Sequence, residues 1–467
     1  MTPMHYVSTR GRAPSLTFDE VLLTGLARDG GLYVPETWPQ LLPEQIRRFA
    51  SRPYDAVAVE VMWPYIEGTI DRGAFESMVF DAYSTFNHPD VCPVRPLGGG
   101  VWLLELFHGP TLAFKDVALQ LVGQLFEHEL AKRGERITIV GATSGDTGSA
   151  AIAACRDRDS LDVFMLHPAG RVSEVQRRQM TTVLSENIHN IAVEGTFDDC
   201  QDLVKAMFGD VTFRDRHRLS AVNSINWGRI LAQVVYYVKT AAVLGAPDKP
   251  VAFSVPTGNF GNVFSAWVAR QMGVPISALY IGSNTNDILP RFLETGVMEM
   301  HDVVPTTSPS MDIQVSSNFE RLLFELLGRN GEEVADRMQR FREDGRIDLS
   351  DVVGPMREVF GAARLDDDAV ARVIAVTYKR SDVLVDPHTA VGLGAAALLH
   401  RATSVPVVCL ATAHPAKFFD AVEAATGERP ELPDELHDLL EREERYVTLP
   451  NDLRELVTYI DSVKLHG

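Results

Sequence analysis

Lys115 lies in a mostly apolar and aromatic stretch, LELFHGPTLAFKDVALQ (residues 104–120), just after a predicted turn at His108-Gly109-Pro110. A lysine that only faces solvent needs no such surroundings. An apolar pocket, in contrast, lowers the pKa of an amine and makes it a nucleophile at neutral pH. The alternative is a lysine at a helix start, with its stem on apolar surface and its amine in water. Lys115 is therefore a candidate nucleophile, and Asp116 beside it is a candidate helix N-cap.

A glycine-rich loop follows the apolar segment VAFSVP and precedes a predicted helix that starts near Val263. Its central residues are Gly258, Asn259, Phe260, Gly261 and Asn262. Glycines allow a close approach of the backbone, and the N–H groups at a helix N-terminus can bind an anion. The loop has neither the lysine of GxxxxGK[ST] nor the spacing of GxGxxG. We interpret it as a cradle for a monophosphate, and a simple turn with a helix cap is the alternative.

Three further loops, in the segments GATSGDTG, AVNSINWGRI and ATAHPAKF, contain small polar residues next to predicted strands or helices. In ATAHPAKF, Thr412 ends a strand, and its hydroxyl could bond the backbone or a ring nitrogen of a ligand. In AVNSINWGRI, the guanidinium of Arg229 suits a carboxylate or a phosphate, although an ion pair beside a helix cap is the alternative. The other polar candidates in these loops are Thr143, Ser144, Gly145, Asp146, Thr147, Asn223, Ser224 and Asn226.

Apolar runs alternate with amphipathic segments from Val101 onward. The predicted strands are RITIVG, DVFMLH, NIAVEG, PVAFSVP, ALYIGS and PVVCLAT, and the predicted helices include DVALQLVGQLFEHELAKRG, VSEVQRRQMTTVL and FDDCQDLVKAMFGD. This alternation favours mostly parallel sheets covered by helices. Such sheets bind ligands in the loops beyond the carboxyl ends of their strands, where the candidate residues lie.

The pattern also predicts domain limits. A mostly helical N-terminal domain is expected over residues 1–98, ending at the break RPLGGG, and an α/β catalytic region over residues 99–467. Within that region we expect a small lobe near 110–225 and a large lobe near 226–430 with flanking segments. Residues 431–467 are predicted to be a helical extension, because ELPDELHDLLEREERY is typical of a solvated helix.

Composition disfavours several functional classes. The 467 residues carry a formal net charge of -19, which disfavours nucleic acid and anionic membranes as partners. The four cysteines are widely spaced with no CxxC pattern, which disfavours disulfides and a metal site and fits a reducing cytoplasm. The N-terminal segment has no apolar core of signal-peptide length, and the sequence has no stretch of about twenty apolar residues that could span a membrane. We expect a cytoplasmic protein, monomeric or homodimeric, that acts on a small molecule.

A nucleophilic lysine, a phosphate cradle and a polar group for a ring nitrogen are three parts of a pyridoxal-phosphate site. The segments HGPTLAFKD, TSGDTGSAA, NSIN, PTGNFGN, DPHTAVG and TAHPAKF follow one another along the chain, with DGGLYVP near the N-terminus. In these segments the chain resembles the threonine synthase family, of the longer bacterial and fungal type. The resemblance implies an α/β, tryptophan-synthase-β-like fold (fold type II of pyridoxal-phosphate enzymes) with two lobes, the cofactor between them, and an extra N-terminal domain.

The resemblance also implies roles for single residues. It implies that Lys115 binds pyridoxal 5'-phosphate covalently, that loop 258–262 holds its phosphate, and that Thr412 bonds its ring nitrogen. Residues 143–147 match a loop that grips the substrate carboxylate and a cofactor oxygen. Relatives of the shorter type have asparagine in place of Asp146, and an anionic carboxylate beside a phenolate oxygen is unfavourable. Ser144, Gly145 and Thr147 are therefore stronger candidates than Asp146.

The reaction implied by the resemblance converts O-phospho-L-homoserine and water into L-threonine and phosphate. In it, Lys115 is the general base for protons at the α- and β-carbons. Asn223, Ser224 and Arg229, with Thr143, match the pocket for the substrate phosphate. A focused positive site of this kind suits a dianionic substrate on an acidic chain.

Two alternatives remain open on the sequence alone. The first is a pyridoxal-phosphate lyase or dehydratase that shares the early chemistry but releases a keto acid. The second is a non-catalytic α/β sensor that binds an anion, which would have no use for the setting of Lys115. A zinc hydrolase is disfavoured, because the chain has no HExxH motif.

Overall fold

The computed structural model describes residues 3–221, 224–401 and 404–464. These residues form two units, each made from two separate stretches of the chain. The first unit comprises Met1–Ala118 and Ser224–Pro430, and the second comprises Leu119–Asn223 and Glu431–Gly467.

The N-terminal part of the first unit is a two-stranded antiparallel sheet with four helices. Its elements are β1 (Tyr6–Ser8), α1 (Phe18–Thr24), β2 (Tyr33–Pro35), α2 (Pro43–Phe49), α3 (Tyr54–Ile66) and α4 (Arg72–Tyr83). Helix α1 begins after Thr17, and the Thr17 N–H donates to the Glu20 carboxylate at 2.9 Å. Aromatic side chains form the core here, with the buried Trp227 ring against Tyr6 and Tyr65.

In most of the remaining chain, strands alternate with helices. They begin with β3 (Val94–Gly98), β4 (Val101–Glu105), α5 (Lys115–Arg133), β5 (Ile137–Ala142), α6 (Asp146–Cys155), β6 (Leu161–Pro168), α7 (Glu174–Thr181), β7 (Ile188–Glu194), α8 (Phe197–Gly209), α9 (Val211–His217) and β8 (Leu219–Ser220). They continue with α10 (Trp227–Val243), β9 (Val251–Pro256), α11 (Gly261–Gln271), β10 (Ile276–Ser283), α12 (Ile288–Thr295), β11 (Val297–Glu299), α13 (Phe319–Leu326), α14 (Gly331–Asp344) and β12 (Arg346–Asp348). The last are α15 (Ser350–Arg357), β13 (Phe360–Arg364), α16 (Asp367–Ser381), α17 (Pro387–Leu399), β14 (Val407–Ala411), α18 (Phe419–Thr426), β15 (Val447–Pro450) and α19 (Leu453–Lys464).

A six-stranded sheet forms the centre of the first unit, in the order β13-β10-β9-β14-β4-β3. All neighbouring pairs are parallel except β3 with β4. Strands β9 and β14 are buried along their whole length, which explains their uninterrupted apolar sequences. Because these two strands are parallel neighbours, the loops that follow them leave the sheet at the same edge.

The second unit contains a five-stranded parallel sheet in the order β15-β7-β6-β5-β8. Its core joins the apolar faces of β5, β6 and β7 to those of α8 and α19, with Phe164, Ile191, Leu456 and Ile460 buried together. The loop that follows β5 leads directly into α6. This loop carries Thr143, Ser144 and Gly145.

The six strands predicted from apolar runs are confirmed as β5, β6, β7, β9, β10 and β14. Helix α11 begins at Gly261, slightly earlier than the predicted start near Val263. Residue 98, the predicted domain limit, is the last residue of β3 and directly precedes the turn to its antiparallel partner β4. The domain limits as a whole stay predictions.

The prediction of a solvated helix in ELPDELHDLLEREERY is wrong. Only Asp434–Leu436 forms a short 3-10 helix, and the segment continues into strand β15. Contacts with α7 fix this irregular path, since Arg178 donates to the Arg442 carbonyl at 3.1 Å and Thr181 donates to Glu444 at 2.7 Å. Helix propensity alone contributes too little free energy to compete with such contacts.

Two further observations concern the residues that the structure describes. None of their helices is long and apolar enough to cross a membrane. Within the same residues, no group of three or more histidine, cysteine, aspartate or glutamate side chains could hold a metal ion.

Candidate active site

Lys115 is the first residue of α5, and its exposed fraction is only 8%. Its Nζ lies 3.2 Å from the Oγ of Ser310 and 5.5 Å from the centroid of the Phe114 ring. The alternative of an amine that reaches into water does not fit this burial. Lys115 therefore has the partly apolar surroundings that an amine nucleophile requires.

Side chains from both sides fix the loop that precedes Lys115. The Asp116 carboxylate is fully buried and accepts from the N–H and the hydroxyl of Thr111 at 2.8 and 2.7 Å. Asp116 is thus the second residue of α5 and binds the preceding turn, so the prediction that it caps the helix is wrong. Burial raises the pKa of its carboxyl to about 6. On the other side, the Nζ of Lys417 donates to the Thr111 carbonyl at 2.7 Å.

Gly109 allows this loop to close. A Cβ at Gly109 would lie 2.5 Å from the Cβ of Asp116, so no larger residue fits without a shift of the backbone. Leu112 in the same loop has a φ of 60°, a left-handed conformation that is strained for a branched side chain. The hydrogen bonds around the loop therefore hold it in a conformation that is unfavourable for Leu112 by itself.

Thr412 lies beside Lys115 through direct backbone pairing. The N–H of Phe114 donates to the carbonyl of Thr412 at 2.9 Å, and the N–H of His414 donates to the carbonyl of Leu112 at 3.0 Å. Thr412 directly follows β14 and is buried. The structure therefore brings together two of the residues that the sequence singles out, Lys115 and Thr412.

The loop of residues 257–260 connects β9 to the N-terminus of α11. Phe260 precedes this helix with a φ of 65°, and no side chain caps the helix. The first N–H groups of α11 are therefore left to other acceptors. A Cβ at Gly258 would lie 2.9 Å from the carbonyl oxygen of Ser310, so only glycine fits at this close approach. The loop thus presents backbone N–H donors, and Gly258 has no side chain that would block access to them.

Asn262 adds a buried donor to this helix start. Its Oδ1 accepts from the hydroxyls of Tyr236 and Tyr237, the latter at 2.7 Å. Its Nδ2 is buried and finds no hydrogen-bond partner among the described residues. A buried amide without an acceptor is costly unless a ligand supplies one. Together with the uncapped helix start, this donor fits an anion such as the cofactor phosphate.

One segment that contacts the glycine-rich loop is not indicated by the sequence pattern: SPSMDIQVSSN (residues 308–318). Ser316 donates to the Gly258 carbonyl at 2.6 Å, and the backbone N–H and Nδ2 of Asn318 both donate to the Asn259 carbonyl at 3.1 and 3.0 Å. The same Nδ2 lies 3.2 Å from the Ser224 carbonyl. The segment therefore holds the glycine-rich loop in place. Its only sequence signal is a run of serine and asparagine before a helix.

Arg229 lies in the first turn of α10 and is buried. Burial lowers the pKa of its guanidinium to about 10. Asn226 caps this helix, accepting from the Gly228 N–H at 2.9 Å and donating to the Leu22 carbonyl at 2.8 Å. Asn226 therefore has a structural role. Ser224 lies two residues before it, and Asn223 falls outside the described residues.

In the second unit, Thr143 organises the loop between β5 and α6. Its Oγ1 accepts from the N–H groups of Gly145 and Gly148 at 3.0 and 2.9 Å. Asp146 is buried, and its Oδ1 accepts from the Nε2 of Gln176 at 2.8 Å. The two half-buried hydroxyls of this loop, on Ser144 and Thr147, have no hydrogen-bond partner in the described part of the chain.

Comparisons with known proteins cover the whole chain. A family model for pyridoxal-phosphate dependent enzymes matches residues 93–412, and models for the threonine synthase N terminus and C-terminal part match residues 5–83 and 389–460. A threonine synthase of Pseudomonas aeruginosa is 54% identical, with 99% of each chain covered.

Solved structures agree with these matches. The crystal structure of PLP-bound threonine synthase from Brucella melitensis is 52% identical with a TM-score of 0.96, covering 98% of this chain and 99% of that one. Threonine synthase from yeast is 38% identical with a TM-score of 0.94, covering 99% of each chain. The chain belongs to the threonine synthase family of pyridoxal-phosphate-dependent enzymes.

Proposed function

We propose that this protein is a threonine synthase that converts O-phospho-L-homoserine and water into L-threonine and phosphate. The observation that carries the proposal is the buried amine of Lys115, whose loop is joined by backbone hydrogen bonds to the loop of Thr412. Membership of the family supplies the reaction. The paired loops supply a lysine that can carry it out.

The residues present fit pyridoxal 5'-phosphate. Lys115 would hold the cofactor covalently, loop 258–262 would hold its phosphate, and the Thr412 hydroxyl would bond its ring nitrogen. The unpartnered Nδ2 of Asn262 and the uncapped start of α11 support the phosphate assignment. When bound, the cofactor supplies an electron-withdrawing ring that stabilises negative charge on the substrate carbons near the amino group.

Lys115 is the general base in this account. Once the substrate amino group has taken its place on the cofactor, the freed amine would remove the proton from the substrate α-carbon and give that proton up to the cofactor-bound substrate. Neutral again, it would remove a proton from the β-carbon and return it at the γ-carbon in the later half of the reaction. The backbone bond from Phe114 to Thr412 keeps the start of α5 in place while the amine gains and loses its proton. Burial of the lysine keeps bulk water away from the amine.

We assign the substrate phosphate to Arg229 and Ser224, with Asn223 and Thr143 as further candidates. A buried guanidinium is a strong partner for a dianionic phosphate, because water does not screen the attraction. We assign the substrate carboxylate to Ser144, Gly145 and Thr147. The two hydroxyls, which have no partner in the described residues, support this assignment.

Asp146 is a less suitable ligand for an anion than its neighbours. Its carboxylate already accepts a hydrogen bond from the Gln176 amide at 2.8 Å. We propose that Asp146 and Gln176 shape the loop. Asp146 therefore stays a weaker candidate for contact with the cofactor oxygen.

The product of the reaction tests the proposal. Purified protein with added pyridoxal phosphate and O-phosphohomoserine is assayed for free phosphate and for the organic product together. We expect phosphate and threonine in equal amounts. Phosphate with an equal amount of keto acid would contradict the proposal and make the protein a lyase. No reaction and no visible absorbance from bound cofactor would favour the sensor.

We also infer that the protein works in the cytoplasm, as a monomer or a homodimer. All four cysteines are free and buried, which suits a reducing compartment. Sedimentation velocity with the cofactor bound measures the oligomeric state directly.

A further inference from the structure

Ser310 touches the amine of Lys115, although the chemistry assigned above does not use it. Ser310 is the middle residue of a short 3-10 helix, Pro309–Met311, and its Oγ lies 3.2 Å from the Nζ of Lys115. A hydroxyl can accept a hydrogen bond from an ammonium group and donate one to a neutral amine. It can therefore stay bonded to the lysine in both protonation states.

A buried histidine fixes the backbone of Ser310. The N–H of Ser310 donates to the Nε2 of His388 at 3.3 Å. His388 lies in the first turn of α17 and is buried, and its ring also packs against Phe418. Because His388 binds the backbone N–H of Ser310, it fixes the position of the main chain from which the Ser310 side chain extends.

Asp386 fixes the His388 ring in turn. The Nδ1 of His388 lies 2.7 Å from the Oδ2 of Asp386, which is fully buried. Because Nε2 accepts from Ser310, the ring proton lies on Nδ1 and is donated to the carboxylate. The same carboxylate caps α17, accepting from the N–H groups of His388 and Thr389 at 2.9 and 3.0 Å. The ring is therefore held in one orientation and one tautomer by a rigid helix start.

Asn284 and Asp312 hold the other side of this turn. Asp312 follows the 3-10 helix, accepts from the Asn284 amide at 2.7 Å and from the Thr306 hydroxyl at 2.7 Å. The chain is thus fixed at the Ser310 N–H, which binds His388, and two residues later at Asp312. The position of Ser310 is set by tertiary contacts that reach it from α17 and from the end of β10.

We propose that Ser310 is a further catalytic residue, which aims the Lys115 amine, and that His388 and Asp386 are positioning residues that act through the Ser310 backbone. The proposal rests on the proposed function in that it takes Lys115 as the reacting amine. No bond is made or broken at Ser310. Its hydroxyl accepts from the amine while the amine carries the extra proton and donates to it afterwards.

Chemical labelling of the cofactor-free full-length protein tests the contact without any turnover. Cyanate carbamylates the neutral form of an amine, and the Lys115 peptide is quantified by mass spectrometry at a fixed neutral pH. Ser310→Ala removes the hydrogen bond that holds the amine in one position and opens space beside it, so we expect labelling on the order of tenfold faster. Ser308→Ala is the matched control, because its hydroxyl bonds Thr306 and Asn284 in the same segment. It should label like the parent.

Substitutions of His388 separate positioning from simple structural support. His388→Leu leaves the Ser310 N–H without its acceptor and should lower kcat by about tenfold with little change in KM. His388→Gln supplies an amide oxygen in place of Nε2 and should restore most of the loss. The double variant Ser310→Ala/His388→Leu should be no slower than Ser310→Ala alone, because His388 acts through Ser310.

Two outcomes would overturn the inference. One is Ser310→Ala labelling and turnover within twofold of the parent. The other is a double variant whose losses multiply, since His388 would then act elsewhere. Failure of the proposed function has a different signature: the parent would make no threonine while the labelling rates still responded to Ser310.

Discussion

At the scale of single residues, the reactivity of Lys115 depends on neighbours that are not reactive themselves. The Phe114 N–H binds the Thr412 carbonyl, and Asp116 binds Thr111, so the backbone on both sides of the lysine is fixed. Thr412 has two separate roles, one for its backbone carbonyl and one for its hydroxyl. The carbonyl holds the loop, and the hydroxyl is left to the cofactor in our account.

Thr412→Val separates these two parts, because it removes the hydroxyl and keeps the backbone bond to Phe114. We expect kcat to fall by about 10- to 100-fold, since a hydrogen bond to the reacting group is lost, while the melting temperature changes little. Thr412→Ser keeps the hydroxyl and should stay close to the parent. Equal activity of the valine and serine variants would contradict the assignment of Thr412.

Gly109→Ala tests the closure of the loop before Lys115. The new Cβ would lie 2.5 Å from the Cβ of Asp116, so we expect a loss of about 1–3 kcal/mol in the free energy of unfolding. Gly354→Ala is the control, because it lies inside α15 with no atom within 4 Å of the new Cβ. It should be neutral or slightly stabilising. Urea unfolding measures both, and an unchanged Gly109→Ala variant would mean that the loop is less constrained than described.

At the scale of elements, the segment of residues 308–318 supports the site from outside the predicted motifs. Asn318 in this segment donates hydrogen bonds to the Asn259 and Ser224 carbonyls. It therefore ties the glycine-rich loop before α11 to the loop before α10. Both loops carry residues that we assign to phosphate groups.

Asn318→Ala removes the side-chain bonds to both loops. We expect affinity for pyridoxal phosphate to fall by about tenfold or more, because the loop must then be ordered at the expense of binding. Absorbance titration of the cofactor-free protein measures this. Asn330→Ala is the control, since Asn330 caps α14 and its loss should cost about 1 kcal/mol of stability. A cofactor affinity that Asn318→Ala leaves unchanged would contradict the supporting role.

The sequence predicts elements well where burial is continuous. Strands β9 and β14 are buried at every position, so their apolar runs are unambiguous, and the loops after them follow from parallel pairing. Residues 308–318 have no hydrophobic periodicity that would predict their structure. The roles of Ser310 and Asn318 depend on contacts with residues far away in the sequence, which local patterns do not reveal. The C-terminal error has the same cause, because Glu444 is held by α7 across the fold.

At the scale of the whole molecule, the chain has a net charge of -19, which repels the dianionic substrate that we propose it binds. A local cation resolves this conflict, because a buried guanidinium acts through a low dielectric while the surface charges are screened by salt. Arg229 is the buried cation that we assign to this task. The acidic surface then affects solubility and the rate of encounter more than the strength of binding.

Residue identities along the whole chain point to one family, and in our proposal the reaction of this member depends on Lys115. The most direct test measures two quantities in one sample of Lys115→Ala supplied with pyridoxal phosphate and O-phosphohomoserine. These are the visible absorbance of bound cofactor and the amount of threonine formed. We predict that the variant loses the absorbance band of the lysine-bound cofactor and threonine formation together, while the parent shows both. Threonine formation by the variant at a rate near that of the parent would contradict the account.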